Sequence, residues 1–203
     1  MYCYTGKQGT GKTYSAIKFI IDEKLRNDCL IITNIHSFKM FDDIVYIDNI
    51  LDIINFVTKY TSICNDKPLL VFYDEIFSCI EKNKYLSADI LSFISQLRKR
   101  GVIFVTTAQE WAEINITLRR YVRYQVSCNM LAFPFTNKAI LLNVLCDGDN
   151  IRWDSDAQEF IAPIIKTKIS KGLLSVANSY DTFETVSVNL KWFATWHSII
   201  LGT

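Results

Sequence analysis

Gly6-Lys7-Gln8-Gly9-Thr10-Gly11-Lys12-Thr13 carries the required residue at every fixed position of the phosphate-binding pattern G-x-x-x-x-G-K-[ST]. A short apolar run over residues 1–5 precedes it, and a helical pattern over residues 14–25 follows. That strand–loop–helix context gives the motif its physical meaning. Glycines let successive backbone N–H groups turn inward around a phosphate, and the helix N-terminus adds partial positive charge. Gly6, Lys7, Gln8, Gly9, Thr10, Gly11, Lys12, Thr13 and Tyr14 are therefore the candidate nucleotide-binding residues. Lys12 is expected to reach the β and γ phosphates, and the Thr13 hydroxyl to complete a Mg²⁺ shell.

A second group follows in Leu69-Leu70-Val71-Phe72-Tyr73-Asp74-Glu75. An apolar strand there would place Asp74 at its C-terminal end, to hold Mg²⁺ through water. Glu75 would then polarise the attacking water as general base, which argues for hydrolysis. Two exposed carboxylates opening a helix are the alternative. Gln109, just past the apolar run 102–106, could hydrogen-bond both the γ-phosphate and that water; a strand-end amide satisfied by backbone is the alternative. Arg98, Lys99 and Arg100 precede the same run. A guanidinium delivered to a neighbouring subunit's γ-phosphate would stabilise transition-state charge, although a charged helix end reads equally well.

The elements that must position these groups alternate. Ile17, Ile20, Ile21 and Leu25 give the first helix an apolar face. Continuous apolar runs at 29–33, 69–73 and 102–106 read as strands covered on both faces, with a further strand at 44–47. Residues 49–60 form an amphipathic helix capped by Asp48, 65–68 a turn, and 76–97 a mostly helical segment broken at 81–84, its second part capped by Ser87. A short helix at 111–119 and a strand at 121–128 complete the series. This predicts an α/β parallel sheet wrapped by helices, and with the phosphate loop it resembles the P-loop NTPase fold of RecA/ASCE-like kind. From about residue 129 the texture changes to short strands and hairpins: Phe133-Pro134-Phe135, 139–144, 146–150 and 160–169. The expectation is one ATPase domain over 1–203, its core about 1–128 and a small C-terminal β-rich extension about 129–203.

Composition excludes several classes. The 203 residues are 50% hydrophobic, enough for a full core, and 22 basic against 21 acidic residues leave +1. No bulk attraction to a polyanion follows, so a nucleic-acid surface must be local. Two basic groups suit such contact, although solvated surface is the commoner meaning of runs like these: Arg119, Arg120 and Arg123 interleaved with Tyr121 and Tyr124, and Lys166, Lys168 and Lys171. Cys3, Cys29, Cys64, Cys79, Cys128 and Cys146 contain no C-x-x-C pair and read as buried thiols of a reducing compartment. With His36 and His197 alone, a zinc site is not expected. No apolar run reaches the roughly 20 residues that span a bilayer, and with the loop strand at the N-terminus no signal peptide is expected.

The opening Met1-Tyr2-Cys3-Tyr4-Thr5-Gly6 through Tyr14 resembles the zonular occludens toxin (Zot) family, as does Ile31-Ile32-Thr33-Asn34-Ile35. Asp74-Glu75, the stretch Leu97-Arg98-Lys99-Arg100-Gly101 through Gln109, and Ser179-Tyr180-Asp181-Thr182-Phe183-Glu184 follow in the family's order. The wider group is the FtsK/HerA class of DNA-translocating ATPases. The resemblance implies homo-oligomeric rings, such as hexamers, with Gln109 as sensor and Arg98 or Arg100 as the trans-acting finger. Arg98-Lys99-Arg100 stands where relatives more often carry an Arg-His pair. Relatives from filamentous phages continue into a transmembrane helix; here 190–201 is too short to span and is expected to dock on the core, an interfacial helix with Trp192 and Trp196 at the headgroups being the alternative.

The combined expectation is a Mg²⁺-dependent ATPase motor moving viral DNA in phage assembly, by packaging or extrusion. Its partners would be DNA and a capsid, portal or membrane assembly complex. Its place would be the host cytoplasm, the virion or the inner-membrane periphery. A P-loop small-molecule kinase and a nucleotide-binding switch are the alternatives. A kinase would need an arginine-rich lid, which the sequence does not display.

Overall fold

The computed structural model describes residues 1–63, 67–76, 85–132, 139–172, 174–177 and 179. β1 (Tyr2–Thr5) runs into the phosphate loop, and α1 (Lys12–Asn27) leaves it. β2 (Leu30–Thr33), β3 (Ile44–Tyr46), α2 (Ile50–Ile63) and β4 (Leu69–Tyr73) follow. Then come α3 (Ala88–Gln96), β5 (Val102–Ala108), a 3-10 turn (Trp111–Glu113), α4 (Ile116–Arg119) and β6 (Tyr124–Ala132). β7 (Ala139–Asp147), β8 (Arg152–Asp154), β9 (Glu159–Ile161), β10 (Ile164–Lys171) and α5 (Leu174–Ala177) close the described chain.

Among the described residues, eight strands form one sheet in the order β10-β7-β6-β1-β5-β4-β2-β3. The six from β6 to β3 are mutually parallel, and β7 and β10 add antiparallel to the β6 side. Parallel strands need crossovers on the faces, so both faces are covered. On one, Ala16, Ile17 and Ile20 of α1 pack with Tyr4, Ile31, Leu70, Phe72 and Val105, joined by Val176 of α5. On the other, Ile53 and Val57 of α2 and Phe93 of α3 pack with Cys3, Ile32, Val71, Tyr73 and Phe104. β4 is buried at every position, as its unbroken apolar run predicts. Its alternation sends Leu70 and Phe72 toward α1, and Leu69, Val71 and Tyr73 the other way. β8 and β9 pair as a separate hairpin, Trp153 edge-on to Phe160 at 5.1 Å.

Several expectations are corrected. Leu25 is 73% exposed, and Lys24 takes the buried position beside it, with its ammonium paired to Asp28 and Asp43. Asn49, not Asp48, caps α2: its Oδ1 accepts the Leu51 N–H at 2.9 Å, while Asp48 Oδ1 meets His36 Nε2 at 2.7 Å. Ser87 caps α3 as expected, through Ile90 N–H at 3.4 Å. The helix expected over 111–119 is broken, because Asn115 opens a new turn by accepting the Thr117 N–H at 3.0 Å. The strand expected over 121–128 is β6, shifted to Tyr124–Ala132, and the run 160–169 is divided between β9 and β10. Cys3, Cys29, Cys128 and Cys146 are buried free thiols. The expectations for Cys64, Cys79, 65–66, 81–84, Phe133-Pro134-Phe135, 180–184, 190–201 and His197 lie outside the described residues.

Candidate active site

The phosphate loop is a left-handed structure by necessity. Gly11 caps α1 at φ 79°, and Ser15 N–H donates to its carbonyl at 2.8 Å, the first bond of the helix. The N–H groups before it point out of the helix end, where an anion is favoured. At Gly6 space as well as φ demands glycine: a Cβ would lie 2.5 Å from Thr10 Oγ1 and 2.7 Å from the Cys128 carbonyl. Within the loop, Lys7 O accepts from Thr10 Oγ1 at 2.7 Å, Thr10 N–H at 3.2 Å and Lys12 Nζ at 3.1 Å. Lys7, Gln8 and Gly9 form its exposed crown, whereas Tyr14 turns inward and packs against the core beneath α1.

β4 and β5 carry the second group to the same rim. The Thr13 hydroxyl lies 3.3 Å from Asp74 Oδ2 and 3.4 Å from Oδ1, directly across from the loop. Asp74 is only 3% exposed. Burial pushes its carboxyl up to about 6; Thr107 opposes that through a hydrogen bond, the Glu75 charge reinforces it, and Thr13 and Lys12 oppose it. Lys12 is shifted down by burial, against the attraction of Asp74, Glu75, Cys128 and Glu113. The acidic pair and the Lys12 ammonium thus share one electrostatic neighbourhood. Glu75 follows at φ 54°, half-buried. Gln109 is exposed at the end of β5, and its carbonyl accepts the Gly6 N–H at 3.1 Å, so it borders the loop.

Hydroxyl and carboxylate oxygens facing each other are the donors Mg²⁺ accepts, with phosphate and water filling its remaining positions. A buried carboxylate with a raised pKa is also the group a cation would most relieve. The site fits the ion on both grounds. Among the described residues, no cluster of three His, Cys, Asp or Glu side chains could hold a metal by itself.

Arg98 and Arg100 are placed elsewhere. They precede the start of β5, and the loop borders its far end, roughly 20 Å along the strand. Arg100 donates to Gln96 Oε1 at 2.9 Å and Thr58 Oγ1 at 2.9 Å, tying α3 to α2 within its own chain, while Arg98 is exposed. Neither belongs to this chain's own phosphate site. The arginine–tyrosine group also divides. Arg119 donates to the Ile114 carbonyl at 2.8 Å and the Ala112 carbonyl at 2.6 Å, and lies over Phe160 at 5.2 Å. It is a strut of the fold. Tyr124 stacks on Tyr2 at 4.9 Å, leaving Arg120, Tyr121 and Arg123 as the exposed members. Lys166, Lys168 and Lys171 are exposed on the edge strand β10. A cavity of about 590 Å³ lined by Asn150, Arg152, Ile161 and Pro163 shares no residue with the loop.

Two residues near the acidic pair carried no role in the sequence. Asn34 follows β2 and Thr107 lies near the end of β5, and both contact Asp74. The available signal was a polar residue at the C-terminal end of a buried parallel strand, the position where α/β sheets place their sites.

Residues 1–139 match the family model described as zonular occludens toxin (Zot). The chain belongs to the Zot family. Its structure is similar to that of the N-terminal domain of zonular occludens toxin from Neisseria meningitidis. That likeness has 14% identity and a TM-score of 0.53, over 89% of this chain and 98% of the other. It is also similar to the genome packaging NTPase from Sulfolobus turreted icosahedral virus 2 in complex with ATP-gammaS. There the identity is 10% and the TM-score 0.53, over 81% of this chain and 98% of that one. No curated protein sequence matches the chain. At these identities the likeness is one of fold, and the fold is that of the P-loop NTPases. In this Zot-family member β5 separates the loop strand β1 from the acidic strand β4, and the β6–β7–β10 ribbon extends the sheet beyond the loop. Among the described residues, no helix is long and apolar enough to cross a membrane.

Proposed function

We propose that this chain is a Mg²⁺-dependent ATPase that moves viral DNA during phage assembly, working as a homo-oligomeric ring. The observation that carries the reading is the approach of the Thr13 hydroxyl to the Asp74 carboxylate at 3.3 Å, between a complete phosphate loop and Glu75. Family membership and the likeness to a genome packaging NTPase support the same direction. The loop N–H groups and Lys12 bind the β and γ phosphates. Thr13, and Asp74 through water, would hold Mg²⁺, which when bound neutralises charge on the phosphate oxygens. Glu75 takes a proton from water as its oxygen bonds to the γ-phosphorus and the bond to the β–γ bridging oxygen breaks, leaving ADP and phosphate. Gln109 orients that water. Arg98, exposed and remote from its own site, serves a neighbouring subunit.

On this reading 1–203 act as one unit, since β6 carries the sheet without interruption from the core into the ribbon. DNA and a capsid, portal or membrane assembly complex are the partners, met in the host cytoplasm, at the virion or at the inner-membrane periphery.

ATP turnover with and without single- and double-stranded DNA is the test. DNA-stimulated hydrolysis is expected; phosphorylation of a small acceptor, or slow turnover indifferent to DNA, contradicts the motor. Lys12→Ala should abolish nucleotide binding or hydrolysis. Glu75→Gln should bind ATP with turnover about 100-fold lower or less, and ordinary turnover by that variant removes Glu75 from the role of base.

A further inference from the structure

Glu75 occupies the left-handed region at φ 54°, which side chains other than glycine and asparagine rarely adopt. The parallel ladders beside β4 end just before it, with Thr33 opposite Phe72 on one flank and Thr106 opposite Tyr73 on the other. Beyond those pairs the flanking strands bond through side chains instead. Asn34 Oδ1 accepts the Asp74 N–H at 2.9 Å, and Asn34 Nδ2 donates to the Asp74 carbonyl at 3.3 Å. That amide reproduces the bond pair of one more strand residue. On the other flank Thr107 Oγ1 accepts the Glu75 N–H at 2.9 Å and donates to Asp74 Oδ1. Thr107 is fully buried, so its hydroxyl is committed to these two groups.

We propose that Asn34 and Thr107 are positioning residues that clamp the Asp74–Glu75 turn from both sides, holding Glu75 in its left-handed conformation toward the phosphate loop. The clamp rests on the hydrolytic reading above for its consequence, but its geometry stands independently. It sets the rate of the chemical step and leaves nucleotide affinity in the absence of Mg²⁺ unchanged, because neither residue belongs to the loop.

Two measurements on the full chain test it. In the first, Asn34→Ala and Thr107→Val are compared with the parent for kcat with Mg²⁺ and, in Mg²⁺-free buffer, for affinity toward a fluorescent ATP analogue. The expected split is a kcat about 100-fold lower with affinity changed less than about threefold. Thr107→Ser, which keeps the hydroxyl, restores kcat to within about threefold of the parent. Equal loss of affinity and rate, an unchanged rate, or failure of serine to rescue overturns the proposal.

The second is a thermal double-mutant cycle on nucleotide-free protein, pairing Asn34→Ala with Glu75→Gly. Glycine adopts the left-handed region without help, so Asn34→Ala should lower Tm less in the Glu75→Gly background than in the parent. Additive shifts overturn the clamp. Absence of ATP hydrolysis in the parent protein would remove the functional reading, whereas the cycle would still decide the clamp.

Discussion

Asp74 combines nearly complete burial with two hydroxyl donors, Thr13 and Thr107, and the charges of Lys12 and Glu75 nearby. Burial dominates, so the folded carboxyl titrates at about 6 against 3.8 in the unfolded chain. A folded pKa above the unfolded one means the native state holds a proton that the unfolded chain releases. The resulting stability is fully present below about pH 4 and is lost as pH rises through about 6. Asp74→Asn keeps the shape without the charge. In metal-free buffer it should raise urea stability by about 3 kcal/mol near pH 7.5, a gain that fades toward about pH 4. A gain independent of pH contradicts burial as the cause. The same proton competes with a divalent cation, so Mg²⁺-supported turnover of the parent should decline as pH falls below about 6.

The phosphate loop is braced by the ribbon as well as by its own strand. Leu141 of β7 reaches within 2.9 Å, and Met130 of β6 within 3.4 Å, of where a Gly11 Cβ would stand. Ser15 Oγ joins α1 to Asn143 Oδ1 at 3.1 Å. The segment that the sequence marks as a change of texture is therefore part of the wall beside the loop. The arginines after the 3-10 turn show a similar division of labour. Arg119 satisfies two carbonyls where the broken helix leaves them unpaired, so Arg119→Ala should cost about 2 kcal/mol in chemical denaturation. Its effect on DNA affinity at fixed salt should be negligible, whereas Arg123→Ala, exposed beside Tyr124, should cost little stability. Lost DNA affinity in a fully folded Arg119→Ala protein would contradict that assignment.

At the scale of the whole molecule, strand order separates the groups that share a site from those that do not. Asp74, Glu75, Gln109 and the loop all stand at the C-terminal ends of parallel strands; Arg98 and Arg100 stand at the opposite ends. On the proposed reading, a chain of this design would supply its own triphosphate cradle and take any arginine finger from a neighbour. The proposed ring makes a specific demand. If Arg98 acts across a subunit boundary, Arg98→Ala and Glu75→Gln proteins should each be inactive alone and regain part of the parental ATPase when mixed. A mixture no more active than its components would place Arg98 outside the mechanism. Arg100, already spanning Gln96 and Thr58, should act on stability instead.

The loop was legible in the sequence because its chemistry is local: eight consecutive residues, glycines at the fixed positions, and a helix starting at once. The buried strands were legible because a sheet covered on both faces needs continuous apolar runs, which 69–73 and 102–106 display. Asp74 and Glu75 could be named as candidates for the same reason, standing where such a run stops. Their surroundings could not. Asn34 and Thr107 lie 40 and 33 positions from Asp74 along the chain. Only the crossovers that seat β4 between β2 and β5 bring them to its end. The helix break at Asn115 and the diversion of Arg119 into the fold likewise followed from carbonyls that needed donors in three dimensions. Sequence spacing specifies what a single loop can do, and sheet order specifies which distant side chains hold it in place.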